Sequence, residues 1–149
     1  MTDDSHRHFS AECFNEAWDH LDMKSRTREE DVAMLAASYA SLWHWSKRAD
    51  RKDENLSVAH WQLSRIYAVL GDADWARKHG EMSLKYAGKP GAGPFFLAYA
   101  HEALARASAV GGDADASEKH LALAREALAR VEDVESRKMV EADIDGIKP

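Results

Sequence analysis

The sequence predicts an all-α chain of about seven helices, stacked as repeated helix pairs. Three observations predict it. Apolar residues recur at spacings of three and four, and no useful stretch alternates as a strand would. Helix start and stop signals punctuate the chain, with proline only at 90, 94 and 149. Finally, a 41-residue internal repeat writes "GDAD" at Gly71–Asp74 and again at Gly112–Asp115.

The elements follow in order. Ser10–Met23 reads as a helix with Phe14, Trp18 and Leu21 on one stripe and Ser10 as its N-cap, so residues 1–9 read as a polar tail. Thr27–Lys47 starts on a capping box, Thr27 with Glu30, and its acidic first turn suits the positive end of the helix dipole. Glu54–Leu70 ends at Gly71, and Ala73–Ala87 ends at Gly88. "GKPGAGP" (88–94) is the one linker. Pro94 opens a fifth helix that ends near Val110. Ala114–Val131 and a weaker Val134–Asp145, with Val140, Ile144 and Ile147 as its stripe, complete the set.

The repeat can be measured. Sliding Ala59–His79 onto Ala100–His120 leaves 12 of 21 positions identical, among them His60/His101, Arg65/Arg106 and His79/His120. The unit is helix, GDAD turn, helix. Residues 10–50 read as a diverged third pair, 54–88 and 94–131 as the two clear units, and 133–147 as a cap, all in one domain from 10 to 149. Units of this kind bury their apolar faces on their neighbours, so about three make a stable stack.

His60, Leu63, Ser64 and Tyr67, then Ala76, Gly80 and Ser83, stand at the spacing of the packing residues of a tetratricopeptide repeat. His101, Leu104, Ala105 and Ser108, then Ser117, Leu121 and Ala124, repeat that spacing. Residues 54–131 therefore resemble the tetratricopeptide-repeat (TPR) family. The chain departs from it in a period of 41 rather than about 34, and in Ser108 where the first unit has Tyr67. The resemblance implies a right-handed α-solenoid of antiparallel helix pairs, with the first helices lining a concave groove for peptides or partner proteins. The groove positions it implies are Val58, Trp61 and Arg65, then Tyr99, Glu102 and Arg106. The Lys and Asn residues of the family's carboxylate clamp have no counterparts here.

Composition narrows the function classes. A net charge of −6 and a pI near 5.7 argue against nucleic acid or anionic membrane as partner. No apolar run approaches the ~20 residues of a membrane span. One cysteine, Cys13, forbids an internal disulfide and fits a cytoplasmic setting.

Each candidate site has a structural alternative. After each GDAD come basic residues rather than the further oxygen ligands of a Ca²⁺ loop, so Gly reads as a helix stop and Asp72 and Asp113 as N-caps. The eight histidines contain no HExxH and no i, i+4 pair, and His60 and His101 fall on packing positions, which reads as structural rather than metal-binding. Trp43 and Trp45 stand about 200° apart on a helix, so only one of them faces the core. Trp61–Arg65 and Glu102–Arg106 are i, i+4 pairs. Stacked from neighbouring units, an aromatic and two arginines can grip a carboxylate or an acidic peptide. Cys13 has no basic neighbour to activate it, and no phosphate-cradling glycine motif is present.

The expectation is therefore a non-catalytic binding module without cofactor or metal, whose groove takes a peptide or partner protein of acidic character. Two alternatives stand beside it: a helical metal-binding or enzymatic domain built on the histidines, and a homodimer or larger homo-oligomer whose groove is filled by its own chain.

Overall fold

A computed structural model describes residues 1–149 as seven helices with no strands: α1 (Asp3–Leu21), α2 (Arg28–Lys47), α3 (Asp53–Val69), α4 (Ala73–Ala87), α5 (Pro94–Val110), α6 (Ala114–Leu128) and α7 (Val134–Asp145). No helix is long and apolar enough to cross a membrane. Within a pair, α1 packs on α2, α3 on α4 and α5 on α6. Between pairs, α2 meets α3, α4 meets α5 and α3 meets α5, while α7 closes on α5 and α6.

The GDAD turns do what their chemistry dictates. Gly71 and Gly112 adopt the left-handed conformation, φ 81° and 79°, that glycine reaches without steric cost. Each turn closes with a Schellman pair: Asp72 N–H donates to the Tyr67 carbonyl and Gly71 N–H to that of Ala68, matched by Asp113 to Ser108 and Gly112 to Ala109. Asp72 and Asp113 then accept from the amides of Trp75 and Ala116 at 3.1 and 3.0 Å, capping the next helix.

The expected tail at 1–9 and the Ser10 cap are corrected. The first helix starts at Asp3, because Thr2 Oγ1 accepts from the Ser5 amide and Asp3 and Asp4 occupy the positive end. Ser10 is buried mid-helix, where its carbonyl accepts from Ser41 and its hydroxyl from Arg48. The sixth helix ends at Leu128 rather than Val131, and Val131 instead turns into the core.

The core is distributed. Ala17, Met34, Ala37 and Ile66 join α1, α2 and α3. Ala68, Ala76 and Ala107 join α3, α4 and α5. The largest cluster sits where α7's Val140 and Ile144, with Ile147, meet Leu121, Ala124 and Leu128 of α6. Trp43 is half-exposed, whereas Trp45 lies under the Arg48 guanidinium at 3.8 Å.

Candidate functional site

Helices α1, α3, α5 and α7 together wall one aromatic cleft. Phe14 and Trp18 from α1, Ser57, Val58 and Trp61 from α3, Phe95, Phe96 and Tyr99 from α5, and Met139 from α7 enclose about 320 Å³. A smaller opening of about 230 Å³ shares Phe14, Val58 and Phe96 with it and extends past Ala11, Asn15, Trp45 and Glu54. The two form one continuous furrow. Its rings hold each other edge to face or tilted: Trp18 on Trp61 at 5.6 Å, Trp61 on Tyr99 at 5.0 Å, Phe95 on Tyr99 at 5.2 Å. Another depression of about 580 Å³, between Arg51 and Ala92, is lined largely by loop residues.

All six groove positions expected from the sequence converge here, in two roles. Val58, Trp61 and Tyr99 line the furrow. Arg65, Glu102 and Arg106 form an ion cluster beside it, centred on a Glu102 with no solvent exposure. Trp61 Nε1–H donates to Glu102 Oε2 at 2.7 Å. Arg106 grips Oε1 through Nε and Nη2 at 2.9 and 2.6 Å, and Arg65 stands 3.7 Å from the same oxygen. Asp143 of α7 completes the cluster, accepting from Arg65 at 3.4 Å and from the Tyr99 hydroxyl at 3.1 Å. Burial first, and then the Asp143 charge, hold the Tyr99 phenol well above its ordinary range.

This changes the chemistry expected of the arginines. Glu102–Arg106 is a buried, charge-assisted pair rather than a rim ion pair. The carboxylates that Arg65 and Arg106 hold are the chain's own.

Sequence reasoning missed Phe14, Trp18, Phe95, Phe96, Met139 and Asp143. Phe14 and Trp18 shared a visible stripe, but that stripe read as core. Phe95 and Phe96 follow a proline at the start of a helix, before the register of the clear repeat begins. Nothing in the sequence announces that α7 folds back to deliver Met139 and Asp143.

The histidines pair across each helix pair. His6 and His44 bond Nδ1 to Nδ1 at 2.9 Å, His60 and His79 at 3.1 Å, and His101 and His120 at 3.2 Å. The hydrogen bond engages one nitrogen of each ring. Burial, with His79 adjacent, pushes His60 down to about 4, and burial with His120 does the same to His101. Burial also lowers His79, His120 and His44. Nowhere do three or more His, Cys, Asp or Glu side chains converge as metal ligands would. The Cys13 thiol is pushed up, chiefly by burial and then by Glu16 and Glu12, which disfavours the thiolate.

Comparison of the chain with protein-family models, with curated proteins and with solved structures finds no match. The functional reading therefore rests on the geometry of this site.

Proposed function

We propose that the protein is a non-catalytic, TPR-like binding module, a right-handed stack of antiparallel helix pairs whose concave furrow takes an apolar side chain of a peptide or partner protein. One observation carries the reading: six aromatic rings and a methionine, drawn from four helices far apart in sequence, wall a cleft rather than fill it. Apolar clefts of about 300 Å³ and above are the usual form of a binding site. Aromatic walls supply large contact area at small entropic cost. Two polar side chains, Asn15 and Asn55, border it. The two arginines neutralised beside it favour an apolar ligand over an acidic one.

Intrinsic fluorescence tests this, because Trp18 and Trp61 are walls of the cleft. Titration with a peptide library of varied apolar content is expected to shift their emission. Phe96→Asp and Met139→Asp, which touch the furrow but not the ion cluster, are expected to abolish the shift while circular dichroism stays native. Folded variants that bind as the parent does would exclude the furrow as the site.

A further inference from the structure

The charges around the furrow point to the class of its occupant, an inference that rests on the binding-module reading above. Trp18, Val58 and Met139 each mark the face that its helix turns to the cleft. Residues four positions away continue those faces. From Trp18 that step reaches Asp22, from Val58 it reaches Glu54, and from Met139 it reaches Glu135 one way and Asp143 the other. All four are acidic. Asp22 and Glu135 are exposed, and Glu54 is part-exposed and itself lines the furrow. None of these three has a cationic partner within 4.0 Å.

The cations of α3 and α5 show the opposite pattern. Helix α3 carries one, Arg65, and helix α5 carries one, Arg106, and both are spent on Glu102 and Asp143. Arg7, one turn before Ala11 on α1, is held by Asp3 at 3.0 Å and lies 3.8 Å from Asp50. Arg51 and Lys52, which have no ion-pair partner, line the neighbouring depression that Glu54 also borders. The bases of α3 and α5 are paired, while Lys138 beside Met139 on α7 is exposed and unpaired; Glu54 on the lining is unpaired too, and the walls are π faces, which attract cations. The chain as a whole is also acidic, at −6.

We propose that the furrow binds a cationic amphipathic segment of a partner protein, with an apolar side chain in the aromatic cleft and lysine or arginine residues against Glu54, Asp22 and Glu135. The apolar contact supplies adhesion, and the rim charges select sign and speed encounter. Such a ligand complements the π walls and the unpaired Glu54 between them, which an acidic peptide would meet with like charge.

Three fluorescein-labelled 16-residue peptides test it. They share Leu and Phe at i, i+3, i+4 and i+7 and carry Lys, Gln or Glu at every other position. Anisotropy is measured against the full chain at two salt concentrations. The Lys peptide is expected to bind tightest and to weaken with salt. Glu54→Gln with Glu135→Gln is expected to weaken it about tenfold while leaving the Gln peptide unchanged. Glu118→Gln with Glu126→Gln, on α6 away from the furrow, controls for non-specific attraction and is expected to do nothing. If the Glu peptide binds as well as the Lys peptide, or the α6 control weakens binding as much as the rim pair does, the charge inference is overturned and the furrow still stands. If not even the Gln peptide binds, the binding-module reading itself falls. A dimer in sedimentation that the Lys peptide fails to dissociate would assign the furrow to a second copy and overturn the proposal.

Discussion

The α3–α4 and α5–α6 pairs share a register of 41 residues and the same turn, yet they are held together differently. The first is stitched by polar and aromatic contacts. Ser57 and Ser83 exchange hydroxyl-to-carbonyl bonds at 2.9 Å each. His60 stacks on Tyr86 at 5.8 Å, and His79 stacks on Tyr67 at 5.7 Å while bonding the Tyr39 hydroxyl at 2.9 Å. In the second pair, Ser57, Ser83, Tyr67 and Tyr86 become Ala98, Ala124, Ser108 and Ala127, and Gly80 becomes Leu121. The difference follows position. The inner pair has neighbours on both sides and uses Gly80 to let Leu104 of α5 approach. The outer pair has α3 and α4 on one side and α7 on the other, where Leu121, Leu128, Val140 and Ile144 form an apolar cap. One backbone plan accepts either source of cohesion, provided each position is filled for its surroundings.

The largest expected effect lies where the two pairs meet. Trp61 and Glu102 are repeat-equivalent residues that bond each other, so the repeat builds its own junction. Glu102→Ala strands Arg65 and Arg106 without their shared buried partner and is expected to cost about 3–5 kcal/mol in urea unfolding. Trp61→Phe keeps an aromatic ring of smaller size, removes one bond to a charged group, and is expected to cost about 1.5–3 kcal/mol. A loss below about 1 kcal/mol for Glu102→Ala would mean that the cluster is solvated and the pairs are joined mainly by apolar contact.

The next test separates the two packing schemes. Leu121→Ala opens a cavity under α7 and is expected to cost about 2–5 kcal/mol. The reciprocal Gly80→Ala places a Cβ 2.8 Å from Leu104 Cδ2 and 3.1 Å from its Cγ. The overpacking cost of about 1–3 kcal/mol is offset by about 1 kcal/mol of helix propensity. Thermal unfolding that left Gly80→Ala more stable than the parent would show that Leu104 has room to give.

The histidine pairs sharpen the comparison through pH. The folded-state proton affinities of His60, His79, His101 and His120 lie below the unfolded value of 6.5, with His60 and His101 at about 4. Stability is therefore complete above pH 6.5 and falls as pH drops from 6.5 towards 4, because the unfolded chain binds the protons first. For the well-buried His60 the loss is at most about 3 kcal/mol. Replacing both His60 and His79 by Leu is expected to remove more of the acid loss between pH 7.5 and 4.5 than replacing His101 and His120, since His79 is buried and His120 only partly so. Equal shares would place the pairs in equivalent surroundings.

Much of this was legible in the sequence because the governing forces are local. Glycine conformation, side-chain capping and Pro94 at a first turn each act within a few residues, and four helices whose two ends lie within one residue of the observed ones follow from them. The α1 start was misread because the apolar stripe begins later than the Thr2 cap. The repeat register placed Trp61, Arg65, Tyr99, Glu102 and Arg106 on neighbouring helix positions but could not weigh their burial or supply Asp143, because α7 lies outside the repeat. The His–His bonds join residues 38 or 19 apart whose partnership depends on how two helices cross, which single-sequence periodicity does not encode.

The smallest expected effect tests the comparison most directly. In the inner pair, Ser64 of α3 donates to the Ala76 carbonyl of α4 at 2.7 Å. In the outer pair the equivalent residues are Ala105 and Ser117, and Ser117 of α6 donates back to the Ala105 carbonyl at 2.9 Å. Donor and acceptor have exchanged helices, and all four residues are buried. The crossing thus requires one hydroxyl and is indifferent to which helix supplies it: two would crowd the contact and none would leave it apolar. Ser64→Ala is expected to cost about 1 kcal/mol. Adding Ala76→Ser is expected to restore most of that loss, because the outer pair already shows the geometry the new hydroxyl would adopt. A double variant no more stable than Ser64→Ala alone would mean that the two pairs cross differently at this point, and that their shared register stops at the backbone of the first helix.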